Sequence, residues 1–316
     1  MSTRAVRWTT VVAAASTAVL LTGCGSGDDG PAASGELAVV AGFYPLEWTA
    51  ARVGGDQVSV SSLTPPGAEA HDLELTPQDV AAVAEADLLV YLDGFQPALD
   101  EAADSEGGDH AYDVGDAADL MAGTAHEHGD DEPAEEEHAD EDAAVDPHFW
   151  LDPTRLASVG DALAERLGEL DPDNASTYEE NAAALRVDLE ALDQEMADGL
   201  ADCAVDTLVT SHEAFGYLGE RYGLEVVGIS GLSPSQEPDP GQLAEIATLV
   251  RERGISTVYT ETLVDPAVAE TVAEEAGART AVLDPIEGLT DESAGEDYLQ
   301  VMRANLATLQ EGQSCS

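Results

Sequence analysis

The chain has 316 residues, room for two modest domains that each bury a core of their own. Against 65 acidic residues stand 11 arginines and no lysine, a formal net charge of -54 at pH 7. Such a surface repels a phosphate backbone, which excludes nucleic acid as a partner, and attracts cations within the roughly 10 Å that salt leaves unscreened. The acidic excess equally suits solvation in a salty habitat, and composition alone does not separate the two causes.

At the N-terminus Arg4 and Arg7 precede an apolar run from Trp8 to Leu21. That run is too short to span a bilayer and suits the core of a signal peptide. It ends in Leu21-Thr22-Gly23-Cys24, which resembles a lipobox, so residues 1–23 are expected to be cleaved and Cys24 lipidated. An ordinary signal peptide with an incidental cysteine is the plainer alternative. Residues 24–35, rich in Gly, Ser, Asp and Ala, have the composition of a flexible tether. A soluble body held outside the cell at the membrane is the expectation. If Cys24 carries lipid, Cys203 and Cys315 remain as a pair in an oxidising compartment, either bridged or as two buried thiols.

Next comes an N-terminal lobe over residues 36–170. Glu36 to Gly42, Val58 to Leu63 and Asp87 to Leu92 read as strands. Helices are expected over Pro45 to Val53 and from Thr76, where Pro77 takes the first helical position. The βαβ rhythm predicts a parallel sheet covered by helices. From about Leu99 to Val145 the composition turns to Asp, Glu, Ala, Gly and His, with His110, His126, His128 and His138 inside it. Without apolar periodicity this stretch is expected to be a long mobile loop, and its histidines to bind metal weakly or merely to be solvated. Pro153 to Leu167 reads as a helix.

Residues 171–201 predict one long helix. Tyr178, Ala182, Leu185, Leu189, Leu192 and Met196 recur at three- and four-residue steps, a stripe that could join two lobes or lie on one. Residues 202–316 then form a second α/β lobe. Its strands are expected at Thr207–Thr210, Glu225–Ile229, Thr257–Thr260 and Ala281–Leu283, and its helices at Gln242–Arg253, Pro266–Ala276 and Tyr298–Leu309.

Ligands of such sheets bind beyond the carboxyl ends of the strands. Three histidines and one aspartate stand at turns of this kind: His71 after the second strand, His148 in Asp146-Pro147-His148 before a helix, His212 in Ser211-His212-Glu213, and Asp284 in Asp284-Pro285. A lone histidine is more often a core or surface residue than a ligand. Together the four make an N3O donor set suited to tetrahedral Zn²⁺.

The segments Gly42 to Leu46, Gly67 to Pro77, Asp146 to Pro153, Ser211 to Leu224, Gly228 to Pro240 and Glu261 to Asp284 resemble, in that order, the zinc/manganese solute-binding proteins of ABC importers. The resemblance implies two α/β lobes joined by a long helix, a metal cleft between them, and partnership with a permease and its ATPase. It assigns His71, His148, His212 and Asp284 to the ligand positions and Glu237 to a supporting role near the cleft. It implies a carrier rather than an enzyme, expected to be monomeric, with Zn²⁺ as cargo and Mn²⁺ or iron as the alternative. The chain departs from the family at Glu69-Ala70-His71, where many members carry Asp-Pro-His, so the backbone before His71 is less restrained. A zinc hydrolase with Glu213 or Glu237 as base lacks a His-Glu-x-x-His helix to support it. A surface adhesin with a structural metal is the remaining rival.

Overall fold

A computed structural model describes residues 35–122, 145–236 and 238–316. The first sheet runs in the order β2-β1-β3-β4, built from β1 (Leu37–Ala41), β2 (Val58–Ser62), β3 (Leu88–Tyr91) and β4 (Ala111–Asp113). All its pairings are parallel, with Val39 opposite both Val60 and Leu88. Helices α1 (Tyr44–Gly54), α2 (Pro77–Glu85) and α3 (Pro97–Ala102) provide the crossovers, and α4 (Gly115–Ala118) follows the last strand. The central strands Leu-Ala-Val-Val-Ala and Leu-Leu-Val-Tyr carry apolar residues on both faces, as covered parallel strands require. Thr76 caps α2 through a reciprocal pair of bonds with Asp79.

The stretch after Leu99 is more ordered than its composition suggested. β4 pairs with β3, and Val114 and Ala118 are buried in the core. His110 holds the carbonyl of Val83 through Nε2 at 2.9 Å. A three-residue edge strand and a one-turn helix bury too few side chains to leave a periodic signal, so neighbours rather than local pattern order them. Residues 123–144, with His126, His128 and His138, lie outside the described residues, as do Cys24 and Glu237.

Helix α5 (Pro153–Leu170) begins at Asp152, whose side chain accepts from the Thr154 amide at 2.8 Å. Helix α6 (Ala175–Leu200) is about 39 Å long at 1.5 Å per residue. Tyr178, Ala182, Leu185, Leu189, Leu192, Met196 and Leu200 form its buried stripe. It packs on α1 and α5 on one side of the molecule and on α7 (Gly216–Tyr222) and α10 (Tyr298–Gly312) on the other.

The second sheet repeats the order of the first, β6-β5-β7-β8, from β5 (Thr207–Thr210), β6 (Glu225–Gly228), β7 (Thr257–Thr260) and β8 (Arg279–Val282). Helices α8 (Pro240–Arg253) and α9 (Ala267–Ala276) cover it. The protein is thus two parallel-sheet α/β lobes joined by one long helix. One apolar core runs from Val39 and Leu46 through α5 and α6 to Leu208, Phe215, Leu283 and Tyr298, so the lobes share their interior. Each sheet buries its far face in a separate cluster. Cys203 and Cys315 form a disulfide that ties the end of α6 to the C-terminal tail. Beside it Gln313, fully buried, donates to the carbonyl of Thr207 at 2.8 Å.

Candidate metal centre

His71 sits on the turn after β2. Its amide donates to Glu69 Oε1 at 3.0 Å, and its ring meets the edge of Phe95 with centroids 4.7 Å apart. The amide of His148 donates to Asp146 Oδ1 at 2.9 Å, and the same oxygen holds the ring Nδ1 at 2.8 Å. His212 lies just beyond β5. Glu261, just beyond β7, accepts from its amide at 3.0 Å and holds its Nδ1 at 2.6 Å. A carboxylate at Nδ1 places the proton there and leaves the Nε2 lone pair free on a neutral ring.

Those lone pairs converge. Nε2 of His148 stands 3.3 Å from Nε2 of both His71 and His212. Glu287 Oε1 closes the figure, 3.3 Å from Nε2 of His212, 3.5 Å from His148 and 3.7 Å from His71. A tetrahedral ion with bonds of about 2.0–2.1 Å separates its donors by about 3.3–3.4 Å. The spacing therefore fits a four-coordinate cation at the centre. His148 and His212 are buried completely, Glu287 is 98 % buried by side-chain area and His71 is 9 % exposed. Glu287 Oε1 accepts a directed hydrogen bond from none of its neighbours. A buried anionic oxygen without a donor is costly, and a cation would satisfy it.

The electrostatics agree. Burial alone would push the carboxyl of Glu287 up, but the three imidazoles outweigh it and hold the group well below the usual range. Burial pulls His71 down against the attraction of Glu287. At His148 burial is outweighed by Asp146 and Glu287, and the ring is raised. At His212 burial is opposed by Glu261 and Glu287, and the ring is pushed up to about 10. In the absence of a cation, protons take its place.

The structure thus brings together three residues singled out from sequence, His71, His148 and His212, and leaves Asp284 apart. The carboxylate facing the imidazoles is Glu287. Asp284 instead accepts from the Ile286 amide at 2.8 Å and from Ser293 Oγ at 3.1 Å. Beyond β8 the backbone takes a left-handed conformation at Ile286, and Glu287, three places past Asp284, is the residue that faces the imidazoles. Nothing in the periodicity marks that conformation. Asp146 and Glu261 were also missed as supports; Asp146 could have been found from its place two residues before His148, as Glu69 stands before His71. Trp150 donates from Nε1 to the Pro285 carbonyl at 2.7 Å, linking the two loops that carry His148 and Glu287.

Two further features surround the centre. A cavity of about 310 Å³ lined by Glu69, Asp72, Ser211, Ser235 and Asp265 adjoins it. Glu69 is pushed up to about 7 by burial and by neighbouring Glu287. Ala122 pairs with Val145 in an isolated bridge, and Tyr217 Oη accepts from the Met121 amide at 2.8 Å while donating to the Asp146 carbonyl at 2.7 Å. Ala122 and Val145, which flank residues 123–144, are therefore held together three residues before His148. The Cβ that any other residue would carry at Gly216 would lie 2.6 Å from Asp146 Oδ2, so only glycine lets that carboxylate approach.

Comparison with known proteins places these features. The family model described as "ZnuA: Zinc-uptake complex component A periplasmic" matches residues 39–312. The "Zinc-binding lipoprotein AdcA" of Streptococcus pneumoniae serotype 4 is 38% identical over 285 residues, 88% of this chain. The match spans 56% of that relative, little more than half its length. The "High-affinity zinc uptake system protein ZnuA" of Bacillus subtilis is 34% identical over 313 residues, covering 96% of this chain and 97% of the relative. Among solved structures, the laminin binding protein Lmb of Streptococcus agalactiae, described as bifunctional with adhesin and metal transporting activity, superposes with a TM-score of 0.76 at 31% identity, covering 88% and 99% of the two chains. Zn(II)-bound AdcA from Streptococcus pneumoniae matches with a TM-score of 0.72 at 34% identity, covering 88% of this chain and 58% of that one. The chain belongs to the zinc-uptake complex component A family.

Proposed function

We propose that this chain captures Zn²⁺ outside the cell between His71, His148, His212 and Glu287 and delivers it to an ABC importer. The observation that carries this reading is the buried, unpartnered Glu287 Oε1 facing three converging Nε2 atoms at 3.3–3.7 Å. Three nitrogens and one oxygen suit zinc, whereas Mn²⁺ lies at the weak end of the affinity series and prefers more oxygen donors. Four protein ligands leave no open position for activating water, which supports a carrier rather than a hydrolase. His71, the most exposed of the four, would be the first to meet an entering ion.

Lipidation at Cys24 would hold the carrier at the membrane beside a permease and its ATPase, the partners expected of a component of an uptake complex. Glu237 would support the rim of the cleft, and His126, His128 and His138 would add weak sites that raise the local zinc concentration. The deciding experiment is competitive titration of metal-free protein with Zn²⁺ and Mn²⁺ against a chelator. One tight zinc site that Glu287→Gln removes is the expected result. Equal affinity for the two ions, or a tight site untouched by Glu287→Gln, would overturn the reading.

A further inference from the structure

The turn that delivers Glu287 is held in a conformation its own residues do not favour. Ile286 has φ of +60°, a left-handed backbone that a β-branched side chain resists, and it is fully buried. Such a residue persists only where its surroundings over-determine it. Three sets of bonds do so here. Asn305 grips the backbone of Asp284 twice, accepting from its amide at 3.0 Å and donating to its carbonyl at 2.7 Å. Trp150 holds the Pro285 carbonyl from across the cleft. The side chain of Asp284, itself 97 % buried, takes the Ile286 amide at 2.8 Å on one oxygen and the Ser293 hydroxyl at 3.1 Å on the other.

We propose that Asp284 is a positioning residue: by holding the Ile286 amide and Ser293 it fixes the left-handed turn that presents Glu287 to His71, His148 and His212. The assignment rests on the functional reading above and deepens it, because it gives the strand-end carboxylate a task other than ligation. Without the side-chain acceptor, the Ile286 amide loses its partner and the turn can relax toward an ordinary right-handed or extended backbone. Glu287 would then swing relative to the imidazoles. An asparagine at 284 keeps an acceptor for the amide and a group for Ser293, so charge and position are separable.

The test uses Co²⁺ as the probe, since its visible absorption reports four-coordination, together with amide exchange in the metal-free protein. Asp284→Asn should retain the intense four-coordinate absorption, with affinity within about threefold of wild type. Asp284→Ala should weaken the absorption and lower affinity about 10–100-fold, the range for supporting residues of metal sites. The Ile286 amide should be protected in wild type and in Asp284→Asn and lose protection in Asp284→Ala. Loss of binding in Asp284→Asn as severe as in Glu287→Gln would make Asp284 a ligand and overturn the proposal. Retained amide protection in Asp284→Ala would overturn it equally. Should Asp284→Ala fail to fold, Ser293→Ala frees one carboxylate oxygen without emptying the turn; a few-fold weaker Co²⁺ binding supports the proposal, and wild-type affinity counts against it. If wild type itself takes up no Co²⁺ at a defined site, the carrier reading fails while amide exchange still decides the role of Asp284.

Discussion

Each lobe supplies two members of the cluster, yet the lobes hold them differently. In the second lobe His212 is pinned at both its amide and its Nδ1 by Glu261, a residue 49 positions away on a neighbouring strand end, and Glu287 is delivered by a turn bonded at every residue. In the first lobe His148 is pinned the same way, but by Asp146 of its own short segment. His71 has only its amide held, by Glu69, and among the described residues no carboxylate holds its Nδ1. It is also the most exposed of the four. Three members of the cluster are thus held from behind, whereas His71 is held only through its backbone and its ring contact with Phe95.

The largest effects should come from the members held from behind. Glu287→Gln or His212→Ala should cost at least about 100-fold in zinc affinity, measured by chelator competition, because supporting residues alone cost 10–100-fold. Affinity within tenfold of wild type would mean that the centre lies elsewhere.

Next come the carboxylates behind the rings. Glu261→Gln and Asp146→Asn should each weaken zinc binding about 10–100-fold, since a neutral partner orients the ring less firmly and lowers its basicity. Glu69→Gln should cost only a few-fold, because it holds the backbone and not the ring of its histidine, and a glutamine keeps a hydrogen bond for Glu287. Equal losses from all three substitutions would erase the contrast between His71 and the others.

Acidification sharpens the comparison. His148 and His212 hold protons above the ordinary histidine range in the metal-free protein, so each ion bound there must displace protons, and zinc affinity rises with pH. The raised rings stabilise the metal-free fold fully below the ordinary histidine value near 6.5, and this contribution is lost as pH rises toward about 10 for His212. The increase in melting temperature on adding zinc should therefore grow from pH 6 to pH 8. Scanning calorimetry that finds a constant increase would contradict the assigned protonation.

The smallest effects on the centre should come from outside it. Removing residues 127–141 should leave the tight site within about threefold, because Tyr217 and the pairing of Ala122 with Val145 hold the flanking residues together independently. Reducing the Cys203–Cys315 disulfide should lower unfolding free energy by up to about 4–5 kcal/mol in the chain-entropy account while changing zinc affinity least. A lost tight site in either case would show the centre to be coupled to features distant from it.

The alternation of strand and helix signals, together with the family resemblance, carried the two-lobe plan. Strand signals placed β1, β3, β5 and β7 within a residue or two of where they lie, and the stripe on α6 appeared position by position as buried. Places beyond strand ends marked His71 and His212, and a place directly before a helix marked His148. The short elements between Pro97 and Ala118 were illegible, their order being imposed by pairing with β3.

Residue type and local spacing thus sufficed for the long elements and for singling out the three histidines that come together. Which carboxylate faces them, and which groups aim them, follows from three-dimensional packing. Glu261 reaches His212 because β5 and β7 are neighbours in the sheet. Glu287 rather than Asp284 faces the imidazoles because the backbone at Ile286 is held left-handed by bonds from Trp150, Asn305 and Asp284. Both depend on contacts between residues distant in sequence, where one-dimensional spacing carries no directional information.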